Sequence, residues 1–418
     1  MNQPECKPKS LAIEGRVLGL MCSGERSVAD GNIQLYVKDD ERSASLKEGD
    51  VITVKLQYDS IINTSDTGFD ASLYFGQKNI YHRAYVRQTD WWYSGELDSR
   101  NSLMRFRYRA IATIQSWNMK PHSEQVMIAL ILGDKRLLDK ELRQRYAEAG
   151  VVHVLAVSGL HVGVIYLLVS LLLNTFLSNR QAFAKTMVVI LVLWLYACLT
   201  GLSPSVWRAA TMFTLLSIGR NLGRMTGIYH TISASALLLL VLDSDLLFKP
   251  GFQLSYAAVF GIVRYQPQMQ DWWTPSQKWM SPVWQLLTVS LSAQIITLPF
   301  TTHYFGQFPT YFLLSNLLVI PLLSSIMIAS IAVLTIGIIT PLPHWLSNII
   351  DMVYNIQNQT ITHITTLPNA VVNGLETSFF QASLLLAFFI SGLEMVRRRD
   401  AKWFMAWMLC SIALITIL

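Results

Sequence analysis

The chain has 418 residues, of which 52% are hydrophobic and 14% are charged, and its mean hydropathy is +0.36. This composition excludes an ordinary soluble globular protein and indicates a multi-span membrane protein with a smaller soluble part. The net charge of +6 does not by itself indicate nucleic-acid binding, because membrane proteins concentrate basic residues in their cytoplasmic loops. The first ten residues are polar and no apolar run follows them, so no cleavable signal peptide is predicted.

Residues 1–100 are predicted to form a soluble β-rich domain, either a small barrel or a sandwich. Alternating apolar stretches such as NIQLYV and DVITVKLQY are separated by turn signals. Acidic and basic residues balance in this part of the chain, so its composition does not predict a strongly basic DNA-binding face. Cys6 and Cys22 are candidates for a disulfide if the domain lies outside the cytoplasm, and two free thiols are the alternative.

A basic and aromatic segment, RNSLMRFRYR, follows the β-rich domain. Nucleobases could stack on its rings while its arginines neutralise phosphates, and an ordinary membrane-interface segment is the alternative. The candidate DNA contacts are Arg100, Arg105, Arg107 and Arg109. Residues 101–150 as a whole are predicted to form amphipathic or interfacial connecting helices, because the apolar EQVMIALILG precedes the charged DKRLLDKELRQRYAEAG.

Residues 151–418 are dominated by apolar runs and are predicted to form a transmembrane domain of about 8–10 spanning or re-entrant helices. Several runs are short for a straight span, which is tolerated where the backbone is buried in protein or lines a wet cavity. The stretches GLSPSVW, LFKPGF and VIPLL are predicted to supply the interruptions. The predicted spans are 152–177, 183–202, 206–219, 228–242, 251–263, 284–300, 310–340, 346–367, 377–395 and 403–418.

Basic residues fall in alternate loops of this domain, and these loops are predicted to be cytoplasmic. The β-rich domain and the C-terminus are then predicted to be extracytoplasmic. The stretch RRRDAK is also assigned to the cytoplasm, which leaves two schemes for the preceding part. Either four runs cross the membrane, or 346–367 lies flat while the run around Pro321 crosses twice. The polar side of 346–367 favours the second scheme.

Polar residues, glycines and prolines recur inside the apolar runs, and together they predict broken helices around a polar pathway. Arg208 is the strongest functional candidate, because an intramembrane arginine is costly unless it meets a partner, water or phosphate. His153 and His161 are interpreted as polar lining, since their spacing does not suit a zinc site. For a single Ser, Gln or Asn, a helix–helix contact is the alternative. The candidate channel residues are His153, Ser158, Gly159, His161, Gly163, Pro204, Arg208, Gln253, Ser255, Gln294, Pro299, Asn316 and Pro321.

Motifs of soluble enzymes do not occur in the sequence. It contains no P-loop, no G-x-S-x-G and no H-E-x-x-H. We therefore predict no catalytic residue, no metal site and no cofactor, and we expect a protein that is not an enzyme.

Four stretches resemble, in order and spacing, the motifs of the ComEC-type competence family of bacterial inner-membrane DNA-uptake channels. They are AGVVHVLAVSGLHVGVIY, GLSPSVWRAATM, KPGFQLSYAAVFGI and IITLPFTTHYFGQFPTYFLLSNLLVIP. The stretch NTSDTGFDASLYFGQKNIYHRAYV is similar to the end of that family's OB-fold domain, with Thr64 where the family often has proline. The resemblance covers about 120–395 in the channel part. It implies an extracytoplasmic OB-fold-like domain that receives DNA and a channel that imports one strand.

The same resemblance implies partners: single-stranded DNA, membrane lipid, an extracytoplasmic DNA receptor and nuclease, and a cytoplasmic helicase-like motor. Homo-oligomerisation is left open. Full-length members usually have leading spans, and many carry a C-terminal metallo-β-lactamase-like domain, so we expect either a short family member or a fragment. Two alternatives remain from the residues alone, namely a small-solute permease and a non-catalytic remnant or assembly factor of an uptake complex.

Overall fold

The computed structural model divides the chain into two compact units, Met1–Phe106 and Arg107–Leu418. The boundary lies close to residue 100, where the β-rich domain was predicted to end. The structure describes residues 5–7, 10–22, 25–27, 29–38, 41–44, 46, 50–62, 71–76, 79–96, 102–135, 137–177, 181–223 and 227–417.

The first unit is built mainly from short strands, as the alternating sequence pattern predicts. Its described strands are β1 (Glu5–Lys7), β2 (Ser10–Val17), β3 (Leu20–Cys22), β4 (Glu25–Ser27), β5 (Gly31–Lys38), β6 (Asp50–Val54), β7 (Asp59–Ser60), β8 (Ile80–Val86) and β9 (Trp91–Glu96). Two short helices, α1 (Glu41–Ala44) and α2 (Ala71–Gly76), lie between strands.

The main sheet of the first unit has the strand order β1-β2-β5-β8-β7. Strands β2 and β5 pair antiparallel, whereas β5 and β8 pair parallel. Leu35 and Val37 on β5 point into the apolar core with Ala84 and Val86 on β8. Because side chains alternate between the two faces of a strand, the residues between them lie on the opposite face. The prediction of a β-rich N-terminal domain is confirmed, while its assignment as an OB fold stays a prediction.

The second unit is helical, and its first helix, α3, begins just before the unit boundary. The helices are α3 (Ser102–Gln115), α4 (Pro121–Leu132), α5 (Lys140–Glu148), α6 (Val152–Leu155), α7 (Gly159–Phe176), α8 (Ala182–Leu199), α9 (Pro204–Asn221), α10 (Ile228–Leu242), α11 (Pro250–Gln270), α12 (Met280–Phe305), α13 (Phe312–Ile339), α14 (His344–Thr365), α15 (Phe379–Arg398) and α16 (Ala401–Ile417). A short 3-10 helix, Ser244–Phe248, precedes α11, and the strands β10 (Gln307–Pro309) and β11 (Val371–Asn373) pair antiparallel.

Five of the described helices, α7, α8, α12, α13 and α15, are long and apolar enough to cross a membrane. The shorter apolar helices α10 and Ala401–Leu414 of α16 match two further predicted runs. The prediction of a polytopic helical membrane protein is therefore confirmed.

The prolines divide into two groups that the sequence did not separate. Pro204 and Pro250 occupy the first helical position of α9 and α11, where the missing N–H costs nothing. Pro299 and Pro321 lie inside α12 and α13, and both helices continue past them. The predicted interruption at VIPLL is therefore wrong, because the loss of one backbone hydrogen bond at Pro321 does not end a helix of 28 residues.

The continuity of α13 also bears on the predicted topology. One helix of 28 residues cannot cross a membrane twice, so that part of the favoured scheme is wrong. The polar side of α14 has a different explanation from an interfacial position. Tyr354 bonds Ser330 at 2.9 Å, and Asn358 accepts a hydrogen bond of 2.7 Å from Tyr146. These polar groups face other helices. The orientation of the chain in the membrane stays a prediction.

One helix of the connecting region, α4, differs from the amphipathic helices that were predicted, whereas α3 and α5 each have a buried and an exposed side. Every residue of α4 from Val126 to Leu132 is buried. A helix that is buried on all sides belongs to the core of its unit. The largest apolar cluster forms around it, from α3, α5, α13 and α14. The stretch EQVMIALILG lacks the regular polar positions of a surface helix, and this agrees with the burial of α4.

Candidate functional site

The stretch that joins α6 to α7 is a break of three residues stabilised by a histidine. Ser158 is the N-cap of α7, and its side-chain oxygen accepts a hydrogen bond from the backbone N–H of Leu160. Nδ1 of His161 lies 3.1 Å from the backbone nitrogen of Ser158 and 2.9 Å from its hydroxyl oxygen. This is a capping box in which a histidine replaces the usual Glu or Gln. The helix break that was predicted in this motif is therefore a turn with defined hydrogen bonds.

Helix α9 is hydrogen-bonded to the same turn between α6 and α7. The hydroxyl of Ser205, in the first turn of α9, donates a hydrogen bond of 2.7 Å to the carbonyl of Val157. Before Ser205, the chain turns through Gly201 and Leu202, which both have positive φ angles. Leu202 has a side chain, so this conformation is strained and must be held by its surroundings.

Arg208 lies one turn further along α9 and is 6% exposed. Its Nη1 donates a hydrogen bond of 2.8 Å to the carbonyl oxygen of Ser255 on α11. The guanidinium carbon lies 5.5 Å from the ring centre of Tyr256, within the range of a cation–π contact. Tyr256 is held in turn by the hydroxyl of Ser235, at 3.0 Å. Helices α9 and α11 therefore meet at this guanidinium, α10 is linked to it through Tyr256, and Gly159 of α7 lies close beside it.

The arrangement leaves positive charge and N–H groups without partners. Among the residues that the structure describes, Arg208 forms no ion pair with an acidic side chain, and its Nε–H has no acceptor. Nε2 of His161 is also buried without a partner. A buried, uncompensated guanidinium costs several kcal/mol, and unpaired donors add to that cost. The site is therefore suited to an anion or to ordered water.

Two glycines in α7 pack against α9 in different ways. A methyl group at Gly159 would lie 3.3 Å from Nη2 of Arg208, so any side chain there would displace the guanidinium. A methyl group at Gly163 would lie 3.5 Å from the ring of Phe213, which is an ordinary contact. Only the first glycine is placed to control the guanidinium.

Other predicted channel residues are distributed over the second unit. Gln253 accepts a hydrogen bond of 2.8 Å from the hydroxyl of Tyr304, which connects α11 to α12. Asn316 is buried and its Oδ1 has no partner in the described part of the chain. His153 is exposed on α6, Gln294 is half-buried, Pro299 is buried and Pro321 is exposed.

The structure thus brings together only part of the predicted set. Ser158, Gly159, His161, Arg208 and the backbone of Ser255 meet at one place. No contact joins Gln294, Pro299, Asn316 or Pro321 to Arg208 in the described residues. Sequence reasoning missed Tyr256 and Ser205, although each lies within a motif that it had singled out.

The arginines of α3 do not form one exposed basic face. Arg100 lies outside the described residues, and Arg105 is exposed. Arg107 is 8% exposed, and its Nη2 lies 3.4 Å from Oδ2 of Asp134. Arg109 donates a hydrogen bond to the carbonyl of Ile338 at the end of α13. The structure contradicts Arg107 as an exposed DNA contact, because a buried ion pair holds its side chain inside the second unit.

A different aromatic and basic surface lies on the first unit, on the solvent face of β5 and β8. Tyr36 and Tyr85 are partners in the parallel register, and their rings stack with centres 5.0 Å apart. Tyr85 is 67% exposed. Lys38 at the end of β5 and Arg87 just after β8 follow two positions later, and they are the charged residues of the adjoining groove of about 520 Å³. We call these four residues the tyrosine groove.

No group of His, Cys, Asp and Glu suited to a metal ion occurs in the part of the chain that the structure describes. The side chains of Cys6 and Cys22 lie outside the described residues, so their disulfide stays a prediction. Cys198 and Cys410 are free thiols.

The family described as "Competence protein" matches residues 130–399. ComE operon protein 3 of Bacillus subtilis (strain 168) is 33% identical over 204 residues, which are 49% of this chain and 25% of that protein. Uncharacterized protein YcaI of Escherichia coli (strain K12) is 24% identical over 237 residues, 54% of this chain and 30% of that protein. The match thus spans less than a third of each relative's length. No solved structure matches the chain.

Proposed function

Because the chain belongs to the competence protein family, we propose that it acts in DNA uptake as a membrane channel that imports single-stranded DNA. The observation that carries this proposal is Arg208. It is a buried cation with no acidic partner among the described residues, and it lies where α7, α9, α10 and α11 come together. A DNA backbone passing this point would supply the missing anion, one phosphate at a time.

The contacts of Arg208 suit transit better than permanent binding. Its guanidinium is already held by a carbonyl and an aromatic ring, so it does not need a phosphate in order to stay in place. Nε of Arg208 and Nε2 of His161 have no partner in the described residues, so both can bond a passing phosphate. Conduction requires sites that attract the permeant and also release it.

The tyrosine groove supports a role for the first unit in receiving the strand. An exposed ring such as that of Tyr85 gives a base a surface for stacking, and Lys38 and Arg87 can neutralise adjacent phosphates. Double-stranded DNA keeps its bases stacked inside the helix, so this groove favours single strands. It replaces the segment RNSLMRFRYR as the proposed stacking surface.

We propose the bacterial inner membrane as the location, with the first unit and the C-terminus on the extracytoplasmic side. The alternation of basic loops supports this orientation. The proposed partners are an extracytoplasmic DNA receptor and nuclease and a cytoplasmic helicase-like motor, because transport of a charged polymer needs an energy source.

The proposal can be tested with the full chain in liposomes. A membrane potential, positive inside, would drive a fluorescent oligothymidine inward, and label protected from added nuclease would be measured. We expect protected single-stranded label, little protection of the corresponding duplex, and a loss of protection in Arg208→Gln. Arg220→Gln is the matched control, because Arg220 lies on the same helix, is exposed and bonds Tyr166.

Protection that does not differ between liposomes with and without protein would refute the channel function. Uptake of inorganic phosphate without uptake of the oligonucleotide would instead favour the small-solute permease.

A further inference from the structure

A second polar site lies at the far end of α11, where that helix packs against α15. A pocket of about 240 Å³ opens there. Its lining residues are Tyr265, Gln268, Met269, Asp271, Trp272, Leu393, Val396 and Arg397. The pocket combines an apolar wall with one acidic and one basic side chain. Neither the DNA pathway nor any family motif includes it.

The acidic residue of the pocket, Asp271, is exposed and lies at the unfavourable end of a helix. It is the C-cap of α11, where the helix dipole is negative and a carboxylate is unfavourable. Its carboxylate accepts no hydrogen bond from any residue that the structure describes. Arg397 lines the same pocket, but none of its side-chain nitrogens lies within 4 Å of the carboxylate oxygens of Asp271. A cationic group in the pocket would satisfy this carboxylate.

The basic residue of the pocket belongs to a cluster with excess positive charge. Glu394 is 4% exposed and pairs with three arginines: Arg264 of α11, and Arg397 and Arg398 of its own helix. One carboxylate cannot neutralise three guanidiniums. Arg397 keeps its distal nitrogens for another partner, because only its Nε is paired with Glu394, at 3.1 Å. A phosphate beside Arg397 would reduce the excess charge.

The surroundings of the pocket are typical of a membrane–water interface. Trp272 and Val396 are exposed beside it, although both are large and apolar. Trp273 and Trp284 contact each other edge to face in the following segment. Tryptophan rings and arginines concentrate where spanning helices leave the lipid core. A ligand here would meet headgroups on one side and acyl chains on the other.

We propose that this pocket binds the headgroup of a phosphoethanolamine lipid. The phosphate contacts Arg397, and the primary ammonium donates a hydrogen bond to the carboxylate of Asp271. The glycerol and the first acyl carbons lie along Leu393, Val396 and Trp272. A purely anionic headgroup would leave Asp271 unpaired and would be repelled by it. A choline headgroup has no N–H to donate, so it satisfies the carboxylate less well.

The experiment uses the full chain, purified in mild detergent from a membrane mixture with equal amounts of phosphatidylethanolamine, phosphatidylglycerol and phosphatidylcholine. Lipids that remain bound would be identified by mass spectrometry. We expect phosphatidylethanolamine in several-fold excess over the other two. Asp271→Asn should bring the ratio of ethanolamine to choline lipid close to that of the mixture, whereas Arg397→Gln should reduce retention of both.

Two controls separate this binding from general charge effects. Lys402→Gln and Asp245→Asn remove one exposed charge of each sign outside the pocket, and both should retain the wild-type ratio. Arg397→Lys keeps the positive charge and should retain most of the lipid if folding is preserved. Preferential retention of phosphatidylglycerol or of phosphatidylcholine, or an unchanged ratio in Asp271→Asn, would overturn the proposal. DNA transport does not enter this readout, so the two proposals can fail separately.

Discussion

Gly159 lies so close to Arg208 that a methyl group added at the glycine would be 3.3 Å from Nη2 of the guanidinium. The atom in the way is the end of a flexible side chain, so Gly159→Ala should fold and should displace the guanidinium by a few tenths of an ångström. We expect oligonucleotide transport in liposomes to fall about tenfold, since misplacing a functional group by up to 1 Å can cost about 100-fold in activity. Gly163→Ala should transport normally, because its methyl group would make an ordinary contact with Phe213. Equal loss in both variants would show that helix packing, and not the position of Arg208, limits transport.

Arg208 is proposed to support transport, but the burial of its charge lowers the stability of the protein. Replacing an unpaired buried charge by an apolar side chain of similar length is often neutral or stabilising, by up to about 4 kcal/mol. We therefore expect Arg208→Met to keep or raise the melting temperature of the purified chain while transport is lost. A fall of several degrees would indicate that Arg208 is needed for folding, and loss of transport would then say nothing about phosphate contact.

Helices α11 and α12 are in close contact at Gly261. A methyl group there would lie 2.6 Å from the carbonyl oxygen of Ser292, which is backbone and cannot turn aside. Gly261→Ala should lower the free energy of unfolding by about 1–3 kcal/mol, visible as a lower melting temperature. Gly251→Ala is the control on the same helix, because nothing lies within 4 Å of its added carbon. Equal melting temperatures for the two variants would contradict the observed helix spacing.

The tyrosine groove predicts separate effects of its aromatic and basic residues on binding of oligothymidine. Loss of one stacking ring costs about 1–3 kcal/mol, so Tyr85→Ala should weaken binding by about tenfold or more. Arg87→Gln should reduce the slope of log affinity against log salt by about one phosphate contact. Fluorescence anisotropy of the full chain in detergent would measure both. Tyr58→Ala is the control, because Tyr58 is also exposed but contacts His82 outside the groove. A matching loss of affinity in Tyr58→Ala would argue against a localised stacking site.

An exposed ion pair on β2 gives a pH-dependent prediction. Hydrogen bonds of 2.8 Å from Arg16, with its positive charge, hold the pKa of the Asp30 carboxyl below its ordinary value. Since the folded pKa lies below the unfolded one, the stabilising contribution is present above the unfolded pKa. It is lost as the pH falls through the folded pKa. The contribution is small because both groups are in water. In Arg16→Gln the pKa of Asp30, followed by carbon NMR, should return toward its ordinary value; an unchanged titration would contradict the pairing.

Helix positions could be read from the sequence where an apolar run ends at a turn residue. The run predicted at 228–242 coincides with Ile228–Leu242, between Gly227 and Asp243. The break at HVLAVSGLHVG was also predictable, because serine and glycine together interrupt an apolar run. Its histidine cap was not, since the geometry of the Ser158–His161 pair depends on the folded turn.

Features that depend on distant partners could not be predicted. Arg107 lies in a segment that looks exposed, and only the fold brings Asp134 close enough to bury it. Tyr36 and Tyr85 belong to strands far apart in the chain, and their parallel pairing follows from the whole sheet. Local sequence patterns indicate which residues are buried and whether a segment is a helix or a strand. They do not indicate which strands pair in the sheet or which charged side chains meet.

The hydrogen bond from Ser205 to the carbonyl of Val157 couples the N-terminus of α9 to the turn that precedes α7. A shift of α9 along its axis pulls on the turn that carries Ser158 and moves Arg208 by the same amount. Widening of this region for a passing strand would therefore shift both the guanidinium and the α6–α7 turn together. In the proposed channel, loss of the Ser205 hydroxyl would therefore let the guanidinium and the α6–α7 turn move independently.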